Sequence, residues 1–152
     1  MATSNKKGGA LPALPEILEA LSERQRKLDA ADNRLSDLIK ETETSLEGRL
    51  SVRVSADITN ESDSGYETML VFGKHDGSWH LLIETENPGG SFPDVKPLLS
   101  CSREMRVRVF AEGGIEKLIR SAGEQLDKLL AVREVALGKA SSLVAELAGE
   151  VF

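Results

Sequence analysis

Between residues 14 and 46 the apolar positions recur with a helical period. Leu14, Leu21, Leu28 and Leu35 stand seven residues apart, and Leu18, Gln25, Asp32, Ile39 and Leu46 fill the alternating position. Steps of four and three keep them all on one stripe, as in the seam of a coiled coil. Gln25 and Asp32 are polar at seam positions, which weakens a seam but can specify register or partner. Pro15 suits a first turn, Glu16 and Glu19 suit the positive end of the helix dipole, and Gly48 suits a stop. The stripe has two readings: a helix packed on its own domain, or an intermolecular coiled coil with Leu21, Leu28 and Leu35 as contacts.

The period then drops to two. In residues 50–58, Val52, Val54, Ala56 and Ile58 alternate with Ser51, Arg53, Ser55 and Asp57, the pattern of a half-buried strand. After the polar loop TNESDSG, residues 66–75 and 78–86 flank Asp76-Gly77. Asp-Gly between apolar runs predicts a type I′ hairpin, because that turn needs positive φ at both central residues. A two-residue turn sets His75 opposite Ser78, Lys74 opposite Trp79, Phe72 opposite Leu81 and Leu70 opposite Ile83. One face then carries Tyr66, Thr68, Leu70, Phe72, Trp79, Leu81 and Ile83, matching the apolar face of the first strand. The opposite face carries Glu67, His75, His80 and Glu84 around an apolar middle of Met69, Val71 and Leu82, which something is expected to cover.

Residues 87–97 hold three prolines and two glycines and read as a loop. Residues 98–112 fit two patterns. As a helix, Ser100 caps it and Cys101, Met105 and Val109 align; as a strand, Met105, Val107 and Val109 alternate with Arg106 and Arg108. The helix is the preferred reading. Gly113-Gly114 breaks the pattern, and residues 115–148 resume a helical stripe through Ile119, Ala122, Leu126, Leu129, Ala136, Ala140, Leu143 and Leu147. Its width suits packing against both a sheet and a helix. The expected fold is α+β: a long N-terminal helix, a three-stranded antiparallel meander and a long C-terminal helix, or two helices if 98–112 is helical. Residues 1–13 are expected to form a disordered tail, and 14–152 a single α+β domain.

Composition narrows the function. The 152 residues carry a net charge of −6, which argues against a nucleic-acid backbone binder and against adsorption to anionic membranes. No apolar run is long enough to span a bilayer. Aromatics are 4% of the chain, so the core must rest on aliphatic residues, and oligomerisation is a plausible extra source of buried area. Cys101 is the single cysteine. With no secretory pattern at residues 1–15, a reducing, cytoplasmic setting is expected.

Few residues suggest chemistry. His75, His80 and Glu84 share a predicted sheet face, but two imidazoles near a hairpin tip with a distant carboxylate read better as solvated side chains than as a zinc site. Cys101 lacks any nucleophile signature and reads as a packing residue. Arg103, Arg106 and Arg108, with Lys96 upstream, concentrate positive charge in an acidic chain. They suit either an acidic partner or ion pairs with Glu41, Glu43 and Glu47. The glycine pairs match no nucleotide loop, although Glu112-Gly113-Gly114 before a helix could offer N–H groups to an anion. Trp79 reads as a core residue, or as a binding anchor if the helices leave the hairpin tip open. The order of elements is similar in style to small bacterial secretion chaperones, an analogy of fold without a shared motif.

Three functions follow. The first is a non-enzymatic interaction protein, adaptor-like or chaperone-like, acting as a homodimer or on a protein partner through Leu21, Leu28, Leu35, Met69, Val71, Leu82, Arg103 and Arg106. It needs no cofactor or metal. The second is a small-ligand sensor or enzyme with a pocket between sheet and helices, in which His75, His80 or the arginine cluster supplies the polar groups. The third, an acidic mimic of nucleic acid, fits poorly because acidic and basic residues are interspersed along both long helices.

Overall fold

The computed structural model of the chain describes residues 13–86, 89 and 92–150. The expected tail therefore lies outside the described residues except for Ala13, as do four positions of the 87–97 segment. A long helix, α1 (Leu14–Glu47), leads into strands β1 (Val54–Asp57), β2 (Glu67–His75), β3 (Ser78–Glu86) and β4 (Asp94–Pro97). A short helix, α2 (Arg103–Ala111), and a long one, α3 (Gly114–Glu150), follow. The sheet is antiparallel in the order β1-β2-β3-β4.

The hairpin register is the one the turn predicts. Asp76 and Gly77 both have positive φ, 53° and 87°, and His75 pairs with Ser78, Phe72 with Leu81 and Leu70 with Ile83. β1 joins the same alternation, with Val54 opposite Phe72 and Ala56 opposite Leu70. The ladder is shorter than residues 50–58, starting at Val54. The meander also has a fourth strand where a loop was expected. Asp94–Pro97 pairs with Leu82–Thr85, because β3 otherwise presents an open edge of backbone donors and acceptors. Pro97 is tolerated at the end of this edge strand, where its missing N–H costs nothing.

The predicted core face is the buried one. Phe72, Leu70, Leu81 and Val54 have no exposed surface, and Trp79 stacks on Phe72 with ring centroids 5.3 Å apart. Tyr66 departs from the pattern: it precedes β2 and is exposed. All three helices close over this face. α1 supplies Ile39 and Leu46, α2 supplies Met105, Val109 and Phe110, and α3 supplies Ile115, Leu118 and Ala122. Residues 98–112 are thus helical for most of their length. The cap is Ser102, whose hydroxyl accepts from the Met105 N–H at 3.2 Å, rather than Ser100, which ends a short 3-10 turn.

Side-chain contacts close two gaps in this arrangement. The β3–β4 ladder stops at Leu82, so the Leu81 N–H has no strand partner. The buried Glu43 carboxylate of α1 accepts it at 2.7 Å. At the other edge, the Ser55 carbonyl of β1 accepts from Ser121 at 2.7 Å and Gln125 at 2.8 Å, which ties α3 along the sheet. The join between α2 and α3 is also close. A Cβ on Gly114 would lie 2.8 Å from the Val109 carbonyl oxygen, whereas a Cβ on Gly123 would meet nothing within 4 Å.

These contrasting glycines give opposite outcomes for one substitution. Gly114→Ala should lower unfolding free energy by about 1–3 kcal/mol through overpacking. Gly123→Ala should raise it by about 0.5–1 kcal/mol, because alanine loses less backbone entropy in a helix. Urea titration of the two variants beside the wild type measures both.

Candidate interaction surface

The long helices outrun the core. From Leu14 to Ala31 of α1, and from Leu126 to Gly149 of α3, every residue is exposed. At 1.5 Å per residue these arms are about 27 Å and about 36 Å long. Their apolar stripes do not end with the core. In α3 the residues that pack on the sheet, Ile115, Leu118 and Ala122, continue as exposed Leu126, Leu129, Leu143 and Leu147. In α1 the stripe that buries Ile39 runs outward through half-buried Leu35 to Leu28, Leu21 and Leu14, which are 54%, 52% and 66% exposed. The width expected to serve a sheet and a helix is thus used by the core only at the base of α3.

Where α1 passes α2, a groove of about 470 Å³ opens, with Leu28, Val107 and Ala111 on its floor and Asp32, Arg103 and Glu112 among its walls. Asp32, the polar residue of the seam, is half-buried and lies 3.5 Å from Arg103. Gln25 instead bonds along its own helix to Asp29 at 2.9 Å.

The three arginines of α2 point to different places. Arg103 faces Asp32, and Arg106 donates to the Leu99 carbonyl at 3.1 Å. Arg108 donates to both oxygens of Asp63, at 2.8 and 2.7 Å, and to the Ile58 carbonyl. None pairs with Glu41, Glu43 or Glu47 in the described contacts; Glu41 lies 3.6 Å from Arg34 instead. The 3-10 turn Glu61–Asp63 presents Asp63 to Arg108, held by a capping box with Asn60. Sequence reading missed this pair because Asp63 and Arg108 are 45 residues apart in two segments with no common period.

On the outer sheet face Met69 is half-buried, while Val71 and Leu82 are 0% and 4% exposed. Arg53 lies across this face. Its stem packs over Gly73, where a Cβ would come 3.3 Å from the Arg53 Cγ, and its guanidinium donates to the Glu84 carboxylate. The chain itself thus shields part of the apolar middle, by the snorkelling habit of long basic side chains.

The remaining candidates have local partners. His80 Nδ1 lies 3.4 Å from Glu43, and His75 Nε2 lies 3.6 Å from the turn residue Asp76. No group of three metal-ligating side chains occurs among the described residues. The half-buried Cys101 thiol lies 3.4 Å from the Pro97 carbonyl, and burial pushes its pKa above the usual thiol value, which disfavours the nucleophilic thiolate. Gly113, with φ 74°, and Gly114 serve the tight α2–α3 join. Trp79 is half-buried on Phe72, with the Lys74 ammonium 5.8 Å from its ring. No helix among the described residues is long and apolar enough to cross a membrane.

The fold and surface together define an α+β meander that carries two helical arms with uncovered apolar stripes. No family model, curated protein or solved structure matches the chain.

The Arg108–Asp63 pair makes stability depend on pH. The Arg108 hydrogen bonds, helped by the Asn60 N–H, hold the Asp63 carboxyl below its ordinary 3.8. A depressed acid contributes stability that is present above 3.8 and lost as pH falls through the lowered folded value. With the side chains only 12% and 11% exposed, Asp63→Asn should cost roughly 3 kcal/mol near neutral pH, as for a broken buried pair. The gap between wild type and variant should narrow below pH 3.8 in urea titrations at stepped pH. A gap independent of pH would remove this role for the pair.

Proposed function

We propose that this chain is a non-enzymatic interaction protein of the cytoplasm, acting as a homodimer whose contact surface is built from the exposed helical arms. One observation carries the reading: the stripes that bury Ile39 in α1 and Leu118 and Ala122 in α3 continue outward as exposed leucines and valines. Such residues scattered singly need no explanation. A contiguous apolar face of this length on one helix is the mark of a surface that another helix covers. The polar seam residues Gln25 and Asp32 are compatible with this role, since such residues select partner and register at some loss of stability.

The small-ligand reading lacks a comparable observation. The groove at Leu28 is open and lies between two helices rather than between sheet and helices; His75 and His80 are not among its walls, and the two arginines that line it, Arg103 and Arg108, face Asp32 and Asp63 of the chain itself.

Light scattering across a concentration series tests the proposal. The wild type should have twice the chain mass. Leu129→Glu should return it to the monomer mass at the same protein concentration with unchanged circular dichroism. Two buried leucines lost per dimer, at about 2 kcal/mol each, weaken association by roughly a thousandfold. Leu28→Glu examines the other arm: dissociation there as well would bring Leu21, Leu28 and Leu35 into the same interface. A wild type that stays monomeric at high concentration would sink the reading.

A further inference from the structure

We infer that the groove between α1 and α2 is a docking site for a basic amphipathic helix of another protein. Each copy of the chain carries a complete groove, so the site is independent of the homodimer.

The floor sets the apolar part of the occupant. Leu28 of α1 and Val107 of α2 are 54% and 46% exposed, and Ala111 is exposed beside them. All three line the same opening of about 470 Å³. Apolar side chains exposed singly are ordinary, whereas apolar side chains from two helices that meet in one concavity mark a contact site.

The walls set its charge. Each guanidinium of the groove already has a carboxylate: Arg103 lies 3.5 Å from Asp32, and Arg108 donates to both oxygens of Asp63. Glu104 stands in the first turn of α2 with no side-chain partner among the described residues. Glu112 accepts one N–H from Asn60 at 3.2 Å and lies 3.9 Å from Arg108 Nε, and its side chain stays 55% exposed. Four carboxylates thus stand against two guanidiniums. Beyond the Asp32–Arg103 contact, Asp29 and Arg106 add one charge of each sign. The excess is negative and lies on the α2 wall, so a cationic side chain is attracted there and an acidic one repelled. The chain's own arms do not supply that charge. Residues 14–31 hold four acidic and three basic residues, and residues 126–149 hold three of each. A different chain with a basic flank is the better complement.

The walls also set the backbone of the occupant. Both are helices, whose N–H and C=O groups are bonded within the helix. An extended segment would find no strand edge here and would lay its own backbone groups unpaired on an apolar floor. A helix satisfies its backbone internally and presents side chains at i, i+3 or i+4, and i+7. The nine residues of α2 extend about 14 Å, so two to three turns of a partner helix span the groove. Glu104 and Glu112 stand about 12 Å apart along α2. Two basic residues at i and i+7 on one flank of the partner match that separation.

Fluorescence anisotropy with designed peptides and the full chain tests the site. Two labelled peptides of about 18 residues, long enough to hold a helix, share one leucine stripe and differ only in the flank, which is lysine in one and glutamate in the other. The chain should bind the lysine peptide and not the glutamate peptide, with affinity falling as salt is raised. Glu104→Lys/Glu112→Lys should weaken the lysine peptide by about tenfold or more. Val107→Gln should weaken it as well, with circular dichroism unchanged in both variants. Asp127→Lys/Glu146→Lys makes the same change of net charge on the α3 arm and should leave binding as it is. Equal losses in the two charge-reversed variants would reduce the effect to general attraction by an acidic chain and overturn the inference, as would binding of both peptides or of neither. Two other occupants have their own signatures. Self-association that disappears in Glu104→Lys/Glu112→Lys with no peptide present would assign the groove to a second copy. Tighter peptide binding by a chain lacking residues 2–12 would assign it to the chain's own N-terminal segment. Either result would overturn the docking of another protein there.

Discussion

The rest of the molecule depends on the register of the β2–β3 hairpin. Two residues, Asp76 and Gly77, turn the chain with positive φ at both positions, which leaves no freedom in how the flanking strands align. Phe72 and Leu81 are placed on one face by that alignment, and Val71 and Leu82 on the other. A slip of one residue would turn β3 over against β2. The helices would then meet His80, Leu82 and Glu84 beside Phe72 and Leu70 in place of Trp79, Leu81 and Ile83, and the core that holds Ile39, Val109 and Leu118 would lose half of its floor.

The core that forms is small relative to the helices that build it. Strands of nine residues span about 30 Å, and a sheet of four strands is about 15 Å wide between its outer backbones. Helices of 34 and 37 residues are about 50 and 55 Å long. No orientation lets a sheet of this size cover them. The arms are therefore a consequence of length, and their apolar stripes are surplus to the fold. The two ties at the sheet edges, Glu43 on the Leu81 N–H and the Ser121 and Gln125 side chains on the Ser55 carbonyl, fasten the two long helices to the sheet. Both satisfy backbone groups that strand pairing leaves open.

Polar contacts within the chain absorb most of the side chains that might have suggested chemistry. Arg108 and Asp63 join the β1–β2 loop to α2, Arg53 and Glu84 lie across the outer sheet face, and Arg103 faces Asp32. Among the described residues, most of the exposed large apolar side chains lie on the helices. That contrast is why the functional reading rests on helix faces rather than on a pocket.

The sequence by itself determined the periodic parts. Seven-residue leucine spacing marked α1, alternation marked β1, and Asp-Gly specified the hairpin to the residue, because each is a local rule acting over neighbours in the chain. The same rules could not find β4, whose three nearby prolines and glycines read as a loop. Its existence depends on the open edge of β3, which only the assembled sheet presents. Nor could they find Asp63 as the partner of Arg108, or place the cap of α2 at Ser102 rather than Ser100. Most of all, periodicity showed that both helices carry an apolar stripe but not where burial along it stops. Only the tertiary structure decided that Ile39 and Leu118 lie inside while Leu28 and Leu129 lie outside, because a stripe looks the same from within the chain whether a sheet covers it or not.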